Sequence, residues 1–304
     1  MEHVYDLVIV GGGPAGVSAS IYSGRAQLDC LWIDKNFIPG GQIAESGRVD
    51  NYPGLPGIHG DALGEAFSSH AESLGQTPIR SKVLEIRKDE DVFHIRTKKQ
   101  EFQAKTVICA LGAKHRHLEI PGEEELAGSG VSYCATCDGA FFKGKKVCVI
   151  GGGNTACEDA LLLAGICEKV YLIHRRDELR ADRILQQRVL ETENIEVLWN
   201  TIPVKILGEM LTEGITIENR VTGEQTTLPL DGVFVAVGML PQNDLVKELV
   251  ELSDDGYVIA GEDCKTSLPG LFIAGDLREK LLRQVVTAVS DGACAINSVL
   301  EYLR

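Results

Sequence analysis

Cys134 and Cys137, in the run Tyr133-Cys134-Ala135-Thr136-Cys137-Asp138-Gly139, are the side chains whose type and spacing most directly suggest chemistry. A C-x-x-C pair can close into a small-ring disulfide, and one thiol of such a pair is commonly acidified by nearby positive or N–H groups. Asp138 follows at once, placed to pass a proton to or from a departing sulfur. Two other readings stay open. His115 and His117 lie upstream and would complete a tetrahedral zinc set with the two sulfurs, although H-x-H is an unusual spacing for a structural site. The pair could also be two buried, unreactive thiols. The other seven cysteines (Cys30, Cys109, Cys148, Cys157, Cys167, Cys264 and Cys294) sit singly in apolar stretches and read as small core residues.

Redox chemistry at a dithiol needs a source of electron pairs, and two glycine turns supply candidate sites for one. Residues 5–16, YDLVIVGGGPAG, run an apolar strand into a glycine turn and a helical stretch, and residues 145–156, KKVCVIGGGNTA, repeat the pattern 140 residues later. Each unit reaches a second apolar strand 23 residues beyond its first glycine, at Asp34 (CLWID) and at His174 (VYLIH). Both match the G-x-G-x-x-G/A fingerprint, through Gly11, Gly13 and Gly16 and through Gly151, Gly153 and Ala156. In this motif the glycines permit a tight turn and close backbone approach, and the helix N-terminus receives a pyrophosphate. The strand–turn–helix–strand context that the motif requires is present in both copies.

The ends of the second strands distinguish the two ligands. Asp34 stands where a carboxylate accepts hydrogen bonds from an unphosphorylated ribose, which suits FAD or NAD. His174, Arg175, Arg176 and Arg180 stand at the equivalent place in the second copy, where guanidiniums pair with a 2′-phosphate and a carboxylate would repel it. That site is expected to take NADPH. The bland alternative is that Arg175, Arg176 and Arg180 merely form a solvated face with Asp177 and Glu178.

The 304 residues are enough for two domains. Three further strand-to-glycine segments, TVICALG (106–112), GVFVAVG (232–238) and GLFIAGD (270–276), are expected to close the two sheets. A long helix is expected from about Leu282, with Val285, Val289, Ala293, Ile296, Leu300 and Leu303 on one buried face. Chain crossings fall at Gly112-Ala113-Lys114 and Gly238-Met239-Leu240-Pro241. The resulting fold is α/β, with two Rossmann-like dinucleotide-binding domains, the second (115–240) inserted between two parts of the first (1–114 and 241–304).

Composition limits the partners. Lys and Arg number 30 against 44 Asp and Glu, a net charge of −14. Such a surface argues against nucleic acid or an anionic membrane as the main partner. Met1-Glu2-His3 lacks the pattern of a secretory leader and no apolar run is long enough to span a bilayer, so a reduced cytoplasmic setting is expected.

Taken in order, the first fingerprint, CATCD, GGGNTA, HRRDELRA and AGD with a later Arg283-Gln284 resemble the low-molecular-weight thioredoxin reductases, along nearly the whole chain. The glutathione-reductase-like C-x4-C near the first fingerprint is missing. The resemblance implies FAD on Gly11, Gly12, Gly13, Pro14, Ala15 and Gly16, with Asp34 at the ribose. Gly40, Gly41, Gln42 and Asn51 would lie along the flavin and ribityl chain and Val83 near adenine, with Asp276, Arg283, Gln284 and Val285 closing the site. It implies NADPH on Gly151, Gly153, Asn154, Thr155 and Ala156 with His174, Arg175, Arg176 and Arg180. Cys137 would face the flavin, and Cys134 would attack the partner's disulfide. The implied activity is thioredoxin-disulfide reduction by a homodimer: NADPH reduces FAD, FAD reduces the Cys134–Cys137 disulfide, and the dithiol reduces thioredoxin. Related flavoproteins draw electrons from ferredoxin or serve a peroxide-reducing protein or small dithiols. Arg175 and Arg176 argue against a ferredoxin donor. The dithiol and the NADPH site share the inserted domain and each must reach the same flavin, so a hinge rotation of 115–240 is expected.

Overall fold

The computed structural model describes residues 3–46 and 48–304; Met1 and Glu2, on which part of the no-leader reading rests, lie outside them with Gly47. The chain divides into two compact units, one comprising the residues up to Lys114 together with Leu240–Arg304, the other His115–Met239. Leu240, expected in the insert, belongs to the first unit. The two crossing segments, Ala113–His115 and Met239–Pro241, pair as a two-stranded ladder.

The internal repeat is visible in the strand register. In the first unit the strand Val4–Val10 pairs in parallel with Cys30–Asp34, Leu7 opposite Cys30 and Val10 opposite Ile33. In the second, Lys146–Gly151 pairs in parallel with Lys169–Ile173, Val147 opposite Val170 and Ile150 opposite Ile173. Every partner is displaced by the same 140 residues. The crossover helices Pro14–Arg25 and Asn154–Ala164 start directly behind the glycine turns.

The first sheet runs in the order Ile79–Arg80, Cys30–Asp34, Val4–Val10, Glu101–Cys109, Val92–Thr97, Val83–Asp89, with Leu271–Ile273 also paired to Glu101–Cys109. Leu7, Val8, Ile9 and Val10 are all buried, as expected of a parallel strand covered on both faces. One face packs against Ala15, Val17, Ala19, Ala288, Ala295, Ile296 and Val299; the other meets Phe93, Ile95, Val258 and Leu277. The second sheet runs Ile195–Leu198, Lys169–Ile173, Lys146–Gly151, Gly232–Ala236, Val131–Ser132. An antiparallel sheet of Thr201–Leu207, Gly214–Asn219 and Gln225–Pro229 belongs to the same unit. The three strand-to-glycine segments fall in the two sheets as the sequence suggested.

The C-terminal helix begins at Val285, three residues later than expected, and ends at Tyr302. Its start is fixed by a capping box in which Gln284 and Thr287 exchange side-chain and backbone hydrogen bonds. Its buried stripe is also shifted, to Ala288, Asp291, Gly292, Ala295, Ile296, Ser298 and Val299. Gly292 explains the shift. A Cβ there would lie 2.3 Å from the Ala15 carbonyl oxygen, so the two helices approach through small residues that an apolar count overlooks. Among the described residues no helix is long and apolar enough to cross a membrane.

Candidate active site

Cys134 and Cys137 are joined by a disulfide, with Cα atoms 5.3 Å apart. Cys134 caps the short helix Ala135–Asp138, and the Cys137 N–H donates to Cys134 Sγ at 3.2 Å. That contact would favour negative charge on Cys134 when the bond is open. Ser132, two residues before the pair, carries no motif in the sequence. Its hydroxyl donates to Asp138 Oδ2 at 2.6 Å and accepts from the Cys134 N–H at 3.0 Å, tying the acid to the cysteine. Burial raises the Asp138 carboxyl above its ordinary value, partly offset by the Ser132 hydrogen bond. An acid so placed holds a proton more readily than a free aspartate.

His115 and His117 gather around Tyr133 and Glu123. The His115 ring stacks on Tyr133 with centroids 5.1 Å apart, and the Tyr133 hydroxyl lies 2.9 Å from both His117 Nδ1 and Glu123 Oε1. Glu123 is buried and also accepts from the Leu118 and Glu119 N–H groups, so it anchors the segment leading to the cysteines. The seven remaining cysteines are free thiols. Burial pushes Cys109, Cys264 and Cys30 up to about 12, and Cys157 and Cys167 up to about 11, which keeps them protonated and unreactive.

At the second fingerprint, Gly151, Gly153, Asn154, Thr155 and Ala156 form the turn and first residues of the helix Asn154–Ala164. A Cβ on Gly151 would meet the Ala236 carbonyl oxygen at 2.4 Å, whereas one on Gly153 would meet nothing within 4 Å. The turn is thus closed toward the sheet and open outward, the shape a pyrophosphate needs. Asn154 is tied to Asp182 by two hydrogen bonds, side chain to side chain at 3.0 Å and from the Asp182 N–H at 2.8 Å.

His174 differs from the expectation of a ligand contact. It is 5% exposed, with Nδ1 2.9 Å from the Gly151 carbonyl oxygen and Nε2 2.9 Å from that of Glu178. Each ring nitrogen lies against a backbone carbonyl oxygen, so whichever carries the proton donates there, and the ring sits between the glycine turn and the arginine loop. Arg175, Arg176 and Arg180 project from that loop into solvent. Among the described residues, none of the three forms an ion pair with Asp177 or Glu178, and all five side chains are exposed.

Asp159, on the same helix, is half-buried, and burial together with the neighbouring charge of Glu158 pushes its carboxyl up to about 7. Folding therefore favours its protonated form. That contribution to stability is fully present below the ordinary value of 3.8 and is lost as pH rises through about 7. Asp159→Asn should match the wild type near the acid end of this window. Near pH 8 it should be more stable by on the order of 1–2 kcal/mol, allowing for partial exposure. Denaturant melts at both pH values check this; a pH-independent difference would mean that Asp159 does not titrate there.

In the first unit, Gly11 adopts φ +120°, and a Cβ on Gly16 would lie 2.0 Å from the Gly11 carbonyl oxygen, so strand, turn and helix are locked at close approach. Gly13 is open, as Gly153 is, and Pro14 occupies the first helical turn ahead of buried Ala15. Gly40 donates its N–H to the Gly12 carbonyl oxygen at 3.3 Å, and Gly41 rests on Gly13, so two segments distant in sequence line one turn. Gln42 lies exposed in the 3-10 turn Gly41–Glu45. Asn51 and Gln284 meet directly, Nδ2 to Oε1, at 2.9 Å.

Two expected residues are used differently. Asp34 is 4% exposed, packs against Gly12 and accepts from Arg80 Nη1 at 3.0 Å. Burial raises its carboxyl, against the opposing pull of the Asn36 N–H and of Arg80. Arg80, 46 residues away, carried no sequence signal. The Val83 side chain is buried in the core, which leaves its backbone as the part that can face adenine.

Within Asp276–Leu282, Leu277, Arg278 and Lys280 turn inward while Glu279, Leu281 and Leu282 are exposed. Asp291 accepts from Arg278 at 2.9 Å, from Lys280 at 2.8 Å and from the Gly275 N–H at 2.9 Å, with all three side chains largely buried. Asp276 Oδ1 and Arg283 Nε are buried without a hydrogen-bond partner among the described residues, the nearest cation to Asp276 being Lys280 Nζ at 3.8 Å. Burial raises the Asp276 carboxyl, offset by Lys280 and Arg283. The Arg283 guanidinium lies 3.9 Å from the centre of the Tyr257 ring. Orphaned buried polar atoms are costly. Asp276 and Arg283, with the open Gly13 turn, are thus a fit to the hydroxyls and phosphates of a dinucleotide such as FAD.

Residues 5–292 match the pyridine nucleotide-disulphide oxidoreductase family model. The chain is 42% identical to the thioredoxin reductase of Bacillus subtilis over 304 residues, covering 100% of this chain and 96% of that one. The crystal structure of thioredoxin reductase from Streptococcus pyogenes is 40% identical and superposes with a TM-score of 0.94, covering 100% of this chain and 99% of that one. Thioredoxin reductase from Giardia duodenalis is 34% identical, with a TM-score of 0.93 and the same coverage. With its repeated fingerprints and its closed Cys134–Cys137 pair, the chain belongs to the pyridine nucleotide-disulphide oxidoreductases and stands among their thioredoxin reductases.

Proposed function

We propose that this protein is an NADPH-dependent thioredoxin-disulfide reductase. The observation that carries the reading is a closed Cys134–Cys137 disulfide in the same unit as a glycine turn followed by three exposed arginines. Arg175, Arg176 and Arg180 bind the 2′-phosphate of NADPH, and the open Gly153 turn takes its pyrophosphate. Gly11, Gly13, Gly16, Asp276 and Arg283 would hold FAD, which supplies the exchange between hydride and thiol chemistry.

Two electrons open the Cys134–Cys137 bond. Cys134, stabilised as a thiolate by the Cys137 N–H, attacks the disulfide of oxidised thioredoxin and forms a mixed disulfide. Cys137 then attacks Cys134 Sγ, restoring the pair and releasing thioredoxin as a dithiol. Asp138, held by Ser132, carries the proton that a departing sulfur needs. The sum converts NADPH, one proton and a disulfide to NADP⁺ and a dithiol. Thioredoxin's potential of about −270 mV suits a nicotinamide donor upstream.

The dithiol and the arginine loop sit in one unit, while the residues assigned to FAD sit in the other. Alternating access to the flavin therefore calls for rotation about the crossings Ala113–His115 and Met239–Pro241. A homodimer is inferred from the family likeness. The direct test is to purify the protein, record the flavin spectrum and assay thioredoxin reduction with NADPH against NADH. A colourless protein after flavin is supplied, or equal use of both nicotinamides, would overturn the reading. A crosslink that fixes the two units should stop turnover yet spare one half-reaction; unimpaired turnover in the locked form would remove the rotation.

A further inference from the structure

The arginine loop is not alone. The strands Gly214–Asn219 and Gln225–Pro229 are joined by a tight turn whose first residue is Arg220. The turn is well ordered by its own chemistry. Asn219 Oδ1 accepts from the Val221 and Thr222 N–H groups at 2.9 and 3.2 Å, and the Gly223 N–H donates to the Asn219 carbonyl oxygen at 2.8 Å. It is also fastened to the loop. The Arg220 N–H donates to the Asn200 carbonyl oxygen at 2.7 Å, and the Asn200 N–H donates to that of Arg176 at 3.0 Å. Arg220 Nη1 then reaches the Arg175 carbonyl oxygen at 3.4 Å.

Arg220 is exposed, and among the described residues its guanidinium forms no ion pair. Its one long hydrogen bond uses a single N–H of five. Arg220 is thus fastened to the backbone of the segment that carries Arg175 and Arg176, and among the described residues no carboxylate forms an ion pair with Arg175, Arg176, Arg180 or Arg220. Like charges carried on adjoining backbone repel, and a bound dianion would relieve that repulsion. The 2′-phosphate monoester is the only part of NADPH that NADH lacks, and it is the group the loop is read to receive. We propose that Arg220 is a fourth cation of the 2′-phosphate site and a specificity-determining residue for NADPH. The inference rests on the NADPH reading of the second fingerprint.

The test compares the wild-type holoprotein with Arg220→Ala and Arg220→Lys, using 2′,5′-ADP and 5′-AMP as calorimetric probes. Arg220→Ala should weaken 2′,5′-ADP about tenfold, as expected for loss of one charge-assisted contact, and leave 5′-AMP unchanged. Its 2′,5′-ADP affinity should also depend less steeply on salt, and Arg220→Lys should retain most of the binding. Equal weakening of both probes would make Arg220 a brace for the loop and overturn the proposal, as would no weakening of either. A wild type that does not prefer 2′,5′-ADP over 5′-AMP would instead overturn the NADPH reading itself.

Discussion

Cys134→Ser or Cys137→Ser should abolish thioredoxin reduction, a loss on the order of 10³-fold or more, while NADPH still bleaches the flavin. A serine cannot join a disulfide, so electrons that reach the flavin have no outlet to a thiol partner. The remaining seven cysteines are free thiols outside any C-x-x-C spacing, and burial holds Cys109 and Cys264 protonated, so none is expected to stand in. Misfolding is not the expected cause. Serine is a favoured helix cap, and at position 134 its oxygen can accept the same Cys137 N–H. Stopped-flow reduction of the flavin, thiol titration and steady-state assay together check this. Thioredoxin turnover by either variant would show that the pair is structural.

The second large effect is expected at the arginine loop. Arg175→Ala combined with Arg176→Ala should weaken NADPH by about 10²-fold and leave NADH nearly unchanged. A charge-assisted hydrogen bond contributes about 1.5–3 kcal/mol, toward the lower end where water competes. Because both side chains lie in solvent, the wild-type preference should shrink as ionic strength rises. Steady-state KM values for the two nicotinamides, measured at low and high salt, would show it. Equal loss for both cofactors would mean that the arginines shape the loop instead of contacting the phosphate.

Much of this architecture can be read from the sequence because it is local or repeated. The 140-residue offset predicts the paired strands, and the ladders keep it residue by residue. The C-x-x-C pair needs only its own four residues. Contacts made across the fold left no such trace. Arg80 reaches Asp34 from another strand, and Ser132 reaches Asp138 through a short turn that no periodicity marks. Its place in a basic run suggests that His174 faces the ligand, yet its ring is buried between the Gly151 and Glu178 carbonyls. Leu281 and Leu282 extend the apolar pattern ahead of Arg283 and suggest an earlier start, but hydrogen bonding of Gln284 and Thr287 decides the boundary of the C-terminal helix. Its buried face includes Asp291, Gly292 and Ser298, residue types that hydrophobic spacing ignores.

Asp291 has a consequence for anyone redesigning this protein. It joins Arg278, Lys280 and the Gly275 amide in one enclosed knot, so removing Asp291 strands two cations away from water, whereas removing either cation leaves Asp291 paired with the other. Trimming the knot at Asp291 first should yield an unstable intermediate, whereas a concerted exchange of all three side chains for well-fitting apolar groups offers a viable path. The neighbouring flavin-side turn would then be remodelled as a cassette.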